Sequence, residues 1–201
     1  MNNIAVFASG AGSNAENLIR YFNFKNPQKQ IFISLVVANR PDAYVLKRAH
    51  KLHVPALVFD RTGFYPMHPE KEGYPLLNAL AAAQIDYIVL AGFLWLIPPY
   101  LINKYPQKVV NIHPALLPDY GGKGMYGMHV HRAVLANGEV ESGISIHIVD
   151  AQYDHGSLLF QARCRIAPGE TPDSLVQKIH LLEQEHYPKV VDAWINGRPP
   201  Q

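Results

Sequence analysis

The sequence has little of two things that mark large classes of protein, cysteine and charge. Its 201 residues include one cysteine, Cys164, so no disulfide can form within the chain and a reducing compartment, the cytoplasm, is expected. Charged residues make up 17% of the chain and the formal net charge is +2, with no block of Lys and Arg. Because this charge is too small for a nucleic-acid-binding surface, no nucleic-acid partner is expected.

Long hydrophobic runs are missing as well. The apolar stretch 87–100 is interrupted by Gly92 and Pro98, which makes it too short for a membrane span. The chain opens on a strand-like segment, so no targeting leader and no membrane partner are expected. Hydrophobic residues reach 48%, which is enough for a globular core, and no repeat or low-complexity linker divides the chain. We therefore expect a single domain over residues 1–201.

Strand-like and helix-like segments alternate through the first two thirds of the chain. Apolar runs predict five strands, which begin at Ile4, Ile31, Ala56, Tyr87 and Val109. This alternation predicts a parallel, doubly wound sheet with right-handed crossovers. The later segments Gly143–Val149 and Leu158–Ile166 predict a hairpin. The predicted fold class is thus α/β, a Rossmann-like doubly wound, mostly parallel sheet with an antiparallel C-terminal extension.

The helices are predicted from apolar spacing and from proline. Between the strands, helices are expected over 15–22, 43–52, 74–83, 99–104 and 131–136. A closing helix is expected to begin at Thr171, with Pro172 in its first turn. Pro188 lies inside this last segment, where it lacks an N–H and clashes with the preceding turn. We therefore expect Pro188 to kink or divide the closing helix.

The most informative local pattern lies at the end of the fifth strand, in the segment Val109–Pro118. Asn111 and His113 are spaced i and i+2, so both side chains point to one face of an extended strand. An Asn amide can donate to a carbonyl oxygen, and a His can give or take a proton near neutral pH. Such a pair suits acyl-type transfer. An Asn that caps a turn beside a His that bonds to a loop carbonyl fits the residues equally well.

Two further segments follow predicted strands, at the carboxyl ends where open α/β sheets bind ligands. The glycine-rich segment Ser9–Asn14 matches neither common nucleotide-binding loop fully, and it favours a monophosphate site. A tight turn in which Ser13 or Asn14 caps the next helix is the alternative. The segment Leu94–Ile97 follows the fourth strand and predicts either the wall of a flat ring pocket or simple core packing.

The hairpin turn Asp150–Gly156 brings a carboxylate to the same region of the sequence. Asp154 beside His113 would raise the pKa of the imidazole and favour its charged form, although such turns commonly serve turn geometry alone. Several histidines raise the separate question of a metal, namely His113, His129, His131, His147 and His155. None of them belongs to an H-E-x-x-H motif or a Cys/His cluster, so no metal is expected.

Together these motifs point to a known family. The chain resembles the phosphoribosylglycinamide formyltransferases, folate-dependent enzymes of purine synthesis, over essentially its full length. The matching segments are Ser9-Gly-x-Gly-Ser-Asn14, Leu90-Ala-Gly-Phe93, Asn111-Ile-His-Pro-x-Leu-Leu-Pro118, Gly143-x-Ser-x-His147, Asp154-x-Gly156, and Glu183 followed by Tyr187-Pro188. The Asn-Ile-His-Pro segment and the downstream Asp are specific to formyl-folate transferases, and the phosphate loop and chain length select within that group.

The resemblance implies direct attack of the amine of 5'-phosphoribosylglycinamide on the formyl group of 10-formyltetrahydrofolate, in de novo purine synthesis. It implies small-molecule partners, no metal, and a monomer or homodimer. The implied catalytic residues are Asn111, His113, Asp154 and His147. The implied substrate-binding residues, for phosphate and ribose, are Gly12, Ser13, Asn14 and Glu183. The implied folate-binding residues are Lys71, Leu94, Trp95, Leu96, Ile97, Asn111, Asp150, Ala151, Gln152, Tyr153 and Asp154.

The sequence also departs from the family pattern. Trp95 stands where members often have Arg, His155 stands where a second Gly is familiar, and the glycine-rich loop Asp119–Met128 is long enough to predict a mobile lid. A methionyl-tRNA formyltransferase would share the catalytic residues but needs a further C-terminal domain. A formyltetrahydrofolate hydrolase usually carries an extra N-terminal domain. A nucleotide-binding module without activity would leave Asn111, His113 and Asp154 unexplained.

Overall fold

The computed structural model describes residues 1–25, 30–69 and 73–199. Two compact units can be distinguished, Met1–Val109 and Val110–Gln201. Whether the whole chain behaves as the single domain expected from the sequence stays a prediction. Within the described ranges, no helix combines the length and the apolar character needed to cross a membrane.

The first unit is built on parallel strands. The strands are β1 Asn2–Ala8, β2 Ile31–Ala38, β3 Ala56–Val58 and β4 Tyr87–Leu90. Their order in the sheet is β3-β2-β1-β4, and every neighbouring pair is parallel. Residues 4–8 of β1 and 35–38 of β2 are buried without alternation, as expected for strands that are covered on both faces.

Helices follow the strands of this unit as predicted, with one exception. They are α1 Ser13–Ile19, which continues as a π-helical turn Arg20–Lys25, then α2 Val45–Lys51, α3 Arg61–Phe64, α4 Pro75–Ala82 and α5 Pro99–Lys104. The short α3 was not predicted, because a single turn is too short to show a helical period. It begins after Asp60, whose side chain accepts a hydrogen bond from Gly63 N at 2.8 Å.

The second unit is antiparallel, as the alternating segments predict. The elements of this region are β5 Val109–His113, α6 Met128–Ala136, β6 Glu141–Ile148, β7 Leu158–Arg165 and α7 Pro172–Ile195. Strands β5, β6 and β7 are paired in that order, each antiparallel to the next. The predicted fold class is confirmed: the seven strands form a mixed sheet that is mostly parallel, with antiparallel C-terminal strands.

Helix α7 differs from the expectation at Pro188. It begins with a capping box between Thr171 and Ser174 and continues without interruption to Ile195, with Pro188 inside it. Of the two expected effects of Pro188, division of the helix is therefore wrong, and a kink stays a prediction. Buried residues are spaced along one side of the helix on both sides of the proline, at Leu175, Ile179, Glu183, Tyr187, Val190 and Val191. This packed stripe stabilises the helix and outweighs the hydrogen bond that the proline removes.

Candidate active site

One face of the antiparallel strands carries a row of polar side chains. Asn111 and His113 of β5 are paired in register with His147 and Ser145 of β6, respectively. Because directly opposite residues of paired strands share a face, the four side chains point to the same side of the sheet. His113, Ser145 and His147 are buried and Asn111 is partly exposed. The i, i+2 spacing of the sequence therefore does place Asn111 and His113 on one face.

Asp154 reaches this row from the turn between β6 and β7. Its Oδ2 atom is 3.5 Å from His113 Nδ1, and its Oδ1 atom is 3.6 Å from His147 Nε2. Asn111 Nδ2 donates to Asp154 Oδ1 at 3.3 Å and lies 3.1 Å from His147 Nε2. Asp154 adopts a φ of 54°, a left-handed conformation that a short polar residue tolerates. The residues that the sequence predicted to be catalytic are thus brought together in one cluster.

Backbone carbonyls decide where the histidine protons lie. His113 Nε2 donates to the carbonyl oxygen of Tyr120 at 2.8 Å, and His147 Nδ1 donates to that of Ile148 at 3.0 Å. A carbonyl can only accept, so each of these nitrogens carries a proton. In neutral His147 the other nitrogen, Nε2, accepts from Asn111. In His113 the other nitrogen, Nδ1, faces the Asp154 carboxylate, so both ring nitrogens of His113 lie beside acceptors.

Opposing effects act on the pKa of His113. Burial lowers the pKa of His113 below its ordinary value of 6.5, and it outweighs Asp154 and the Tyr120 carbonyl, which both raise that pKa. Asp154 does raise the pKa of His113, as expected from the sequence. The pKa as a whole is nevertheless lowered, so the expectation of a ring that favours its charged form is wrong. How deeply the ring is buried depends on the whole fold and cannot be predicted from the local motif, and burial is the larger effect.

Asp154 is held in its charged form. Burial alone would raise the pKa of Asp154, but the nearby His147 and His113 rings and the Gly122 N–H together lower that pKa below its ordinary value of 3.8. The Gly122 N–H donates to Asp154 Oδ2 at 3.0 Å. The cluster therefore combines a carboxylate anion, an amide donor and two imidazoles within a largely buried volume.

The segment that supplies these backbone groups begins the predicted lid, Asp119–Met128. Gly121 lies in close quarters, since a Cβ atom there would lie 2.6 Å from Leu117 Cδ2 and 3.2 Å from Asp154 Cβ, so a larger residue would require the Leu117 side chain to move. Tyr120 is held by its carbonyl at His113 and by its hydroxyl, which donates to Glu139 Oε1 at 2.6 Å. The near half of the loop is thus tied to the cluster, and the mobility of the loop stays a prediction.

In the first unit, the glycine-rich turn Ser9–Asn14 leads from β1 into α1. The helix cap is Gly12, with φ 74° and no side-chain cap bond, so the alternative in which Ser13 or Asn14 caps the helix is wrong. A Cβ atom on Gly12 would lie 2.8 Å from the Cα atom of Val45, which only glycine avoids. Asn14 is buried and Ser13 is partly exposed.

Charged side chains hold this turn in place. Arg48 Nε donates to the carbonyl oxygen of Ala11 at 2.8 Å, and the same guanidinium pairs with Glu16 of α1. Val45 N also donates to the carbonyl of Gly10 at 3.1 Å. These bonds leave the turn well ordered at the start of α1, where backbone N–H groups can receive an anion.

The segment Leu94–Ile97 is fixed at two points by hydrogen bonds within the first unit. Leu94 N donates to Ser9 Oγ at 2.9 Å, and the Tyr65 hydroxyl donates to the carbonyl of Leu96 at 2.5 Å. The ring of Trp95 packs against Phe64 at 5.3 Å between centroids. The guanidinium of Arg61 lies 5.9 Å above the Trp95 ring. Trp95 therefore belongs to an aromatic cluster, while Leu94 is 42% exposed and Ile97 is buried.

Among the remaining predicted binding residues, some have polar side-chain contacts and others are exposed to solvent. Glu183 of α7 is buried, and its Oε2 lies 3.0 Å from His180 Nδ1. Asp150 accepts from Gln152 N at 2.8 Å and from His155 Nδ1 at 2.8 Å, so His155 closes the turn in which the family has a second Gly. Ala151, Gln152 and Tyr153 are exposed. Lys71 lies outside the described residues.

Some contributors were missed by sequence reasoning. The Tyr120 carbonyl and the Gly122 N–H are backbone groups, and side-chain patterns carry no signal for them. Ser145 lies two residues before His147 in an alternating strand, so the i, i+2 argument applied to Asn111 and His113 would have found it. Gln161 gives no signal in the sequence. Within the described ranges, no group of three or more His, Cys, Asp or Glu residues is arranged to hold a metal ion.

Comparison with known proteins places the chain in a family. Residues 2–191 match the formyl transferase family, and the chain belongs to it. The resemblance inferred from the motifs is therefore confirmed. The chain is 36% identical over 193 residues to the chloroplastic phosphoribosylglycinamide formyltransferase of Arabidopsis thaliana, a match that covers 94% of this chain and 64% of that protein. It is 31% identical over 198 residues to the phosphoribosylglycinamide formyltransferase of Escherichia coli (strain K12), covering 98% and 88%.

Some relatives are much longer than this chain. A match to the trifunctional purine biosynthetic protein adenosine-3 of Drosophila melanogaster, 35% identical over 196 residues, spans 14% of that protein. Solved structures also match. Glycinamide ribonucleotide transformylase 1 of Symbiobacterium toebii has a TM-score of 0.84 at 29% identity, over 98% of this chain and 89% of that one. The corresponding protein of Geobacillus kaustophilus has a TM-score of 0.80 at 37% identity, over 95% and 97%.

Proposed function

We propose that this chain transfers the formyl group of 10-formyltetrahydrofolate to the amine of 5'-phosphoribosylglycinamide, a step of de novo purine synthesis. The observation that carries the proposal is the cluster of Asn111, His113, His147 and Asp154, which joins an amide donor, a proton donor and a carboxylate in one buried group. Membership of the formyl transferase family and the printed names of the relatives support this substrate pair.

The amide and the imidazole act on the formyl oxygen. The amine nitrogen attacks the formyl carbon, a C–N bond forms, and the electron pair of the carbonyl moves onto its oxygen. Asn111 Nδ2 donates a hydrogen bond to that oxygen and gives up its 3.3 Å hydrogen bond to Asp154 Oδ1. The developing negative charge favours the protonated form of His113, whose pKa burial has lowered in the free chain. This stabilisation arises only as the transition state forms, so it accelerates the chemical step.

The protons balance between the two nitrogen atoms. His113 donates the proton of Nε2, which the Tyr120 carbonyl holds in the free chain, to the folate nitrogen as the bond between that nitrogen and the formyl carbon breaks. The attacking amine loses one proton through water, with Asp154 as the acceptor. The formyl carbonyl re-forms, Asp154 releases the proton that it accepted to solvent, and solvent returns a proton to His113. His147 supports the attack on the formyl carbon, because it accepts a hydrogen bond from Asn111 and so fixes the orientation of the Asn111 amide.

Binding is assigned to the segments that the sequence predicted. Gly12, Ser13 and Asn14 hold the substrate phosphate at the start of α1, and the buried carboxylate of Glu183 accepts from the ribose hydroxyls. Leu94, Trp95, Leu96 and Ile97, with the turn from Asp150 to Asp154, bind the folate. The formyl donor is a cosubstrate, and no step requires a metal. The single cysteine favours a reducing compartment such as the cytoplasm.

The proposal is tested by following 10-formyltetrahydrofolate in the presence and absence of 5'-phosphoribosylglycinamide. We expect loss of the formyl donor only when the ribonucleotide is present, with one formylated product formed for each donor consumed. Loss without the ribonucleotide would indicate a hydrolase instead. Binding of the ribonucleotide without turnover, in wild type and in His113→Ala alike, would indicate a binding module.

A further inference from the structure

Gln161 lies at the end of a line of side chains that leads to His113. In the register of the sheet, Gln161 of β7 is opposite Ser145 of β6, and Ser145 is opposite His113 of β5. The three side chains therefore share one face of three adjacent strands. Gln161 Nε2 donates to Ser145 Oγ at 2.9 Å and to the carbonyl of Leu117 at 2.9 Å. Both hydrogens of its amide are used.

Ser145 connects this amide to the segment that follows His113. Its hydroxyl is fully buried, donates to the carbonyl of Ala115 at 2.7 Å and accepts from Leu117 N at 2.8 Å. The segment from Ala115 to Leu117 belongs to neither a strand nor a helix. Because buried backbone groups need partners, the serine and glutamine side chains take the role that a neighbouring strand would have.

The same segment continues to the groups that contact His113 and Asp154. Leu117 lies close to Gly121, since its Cδ2 atom would be 2.6 Å from a Cβ atom on that glycine. On either side of Gly121, the Tyr120 carbonyl accepts from His113 and the Gly122 N–H donates to Asp154. Because Pro118 and Asp119 alone separate Leu117 from Tyr120 along the chain, we expect a displacement of Leu117 to be transmitted to both of these backbone contacts.

We propose that Gln161 is a positioning residue for His113 and Asp154, acting through Ser145 and Leu117. It does not contact the reacting atoms. Gln161 fixes the backbone at Leu117, where the segment begins. At the other end of the segment, the Tyr120 carbonyl holds the proton on His113 Nε2 and the Gly122 N–H orients the Asp154 carboxylate. Only the kinetic part of the test rests on the proposed formyl transfer, because the state of His113 can be measured in the free chain.

The choice of variants follows from what glutamine supplies. Gln161→Leu keeps much of the volume and removes both donated hydrogens. Gln161→Met keeps the length of the side chain and also removes both donated hydrogens, without adding a charge near His113. Arg163→Leu is the matched control. Arg163 lies on the same strand, is exposed, and pairs with Glu141 at 3.1 Å rather than with the Ala115–Leu117 segment.

The experiment measures the titration of His113 by NMR, together with kcat and KM, in wild type and the three variants. Other groups that act on the His113 ring are Asp154, His147, His131 and Glu183, and none of them is changed. Loss of the Tyr120 contact removes a bond that raises the pKa of His113. We expect both Gln161 variants to titrate His113 at lower pH and to lose about 10- to 100-fold in kcat, with KM within about twofold. Arg163→Leu should match wild type.

The outcomes separate positioning from stability and from a wrong function. A His113 titration that is unmoved in folded Gln161→Leu and Gln161→Met overturns the proposal, whatever happens to kcat. A shift of the same size in Arg163→Leu overturns it as well. If Gln161→Leu does not fold, Gln161→Met decides. If wild type transfers no formyl group, the proposed function fails, and the NMR comparison still decides whether Gln161 positions His113.

Discussion

His113 Nδ1 and Asp154 Oδ2 lie 3.5 Å apart, while the opposite nitrogen of the same ring, Nε2, donates to the Tyr120 carbonyl at 2.8 Å. Both nitrogens of a largely buried imidazole therefore face oxygen acceptors. Hydrogen bonding favours the doubly protonated ring, and burial favours the neutral one. The ring is thus placed where a nearby change of charge can alter its protonation, which is the property required of a general acid.

The first prediction concerns that carboxylate. Asp154→Asn removes a negative charge that raises the pKa of His113 and keeps the size of the side chain. The pKa of His113, already lowered by burial, should fall further. Because the acid must be protonated to act, the fall of kcat on the alkaline side should move to lower pH. The maximum rate should decrease by about 10²- to 10⁴-fold. A pH–rate profile and an NMR titration of His113 measure the two effects.

Asp150→Asn is the matched control for that experiment. Asp150 lies in the same turn, and its carboxylate pairs with the exposed His155 rather than with His113. We expect its His113 titration to match wild type. An unchanged His113 titration in Asp154→Asn would contradict the electrostatic role and leave Asp154 with an orienting role.

The second prediction concerns the turn before α1. Gly12→Ala introduces a Cβ atom 2.8 Å from the Cα atom of Val45 at a residue with φ 74°, so both space and conformation oppose it. We expect the free energy of unfolding to fall by about 2–4 kcal/mol. Gly10→Ala is the control, because a Cβ atom there meets nothing within 4 Å, and its effect should stay within about 0.5 kcal/mol. Urea denaturation compares the two variants, and equal effects would contradict the steric argument.

Particular residues show how far the sequence could predict the structure. The apolar runs predicted the parallel strands because a strand buried on both faces needs no polar alternation. The i, i+2 spacing of Asn111 and His113 predicted their common face from strand geometry alone. The continuous helix through Pro188 could not be predicted, since its stability comes from tertiary packing. Nor could the lowered pKa of His113, because burial depends on the whole surrounding fold.

The third prediction concerns the segment Leu94–Ile97. Tyr65→Phe removes the hydroxyl that donates to the Leu96 carbonyl at 2.5 Å. If this segment binds the folate through its backbone, its loosening should raise KM for the formyl donor by about fivefold, the equivalent of one hydrogen bond of about 1 kcal/mol. KM for the ribonucleotide should not change. Tyr105→Phe is the control, since its hydroxyl donates to the Ile85 carbonyl, outside this segment. A larger effect on the ribonucleotide than on the folate would contradict the assignment.

The last prediction concerns acid stability at the start of α7. Glu170 accepts hydrogen bonds from Lys178, Ser174 and the Ala167 N–H, which lower its pKa from the ordinary 4.5 to about 2. A carboxyl group whose pKa is lowered by folding stabilises the folded state above its unfolded pKa, and this contribution is lost as pH falls through its folded pKa. The stabilisation from Glu170 should therefore be complete above about pH 5 and should disappear between about pH 4.5 and 2.

Glu170→Gln tests this argument because it removes the charge and keeps the shape of the side chain. At pH 7 we expect Tm to fall by on the order of 2 °C relative to wild type, since the Lys178 side chain of the ion pair is 37% exposed and the pair is screened. The difference should shrink as the pH is lowered towards 3, because the unfolded wild type then binds a proton at Glu170 that the folded state, with a pKa of about 2, does not bind. Glu141→Gln, which breaks the exposed pair with Arg163 at 3.1 Å, serves as the control and should change Tm less. A Tm difference between wild type and Glu170→Gln that stays constant from pH 7 to pH 3 would show that the carboxylate charge does not stabilise this end of the helix.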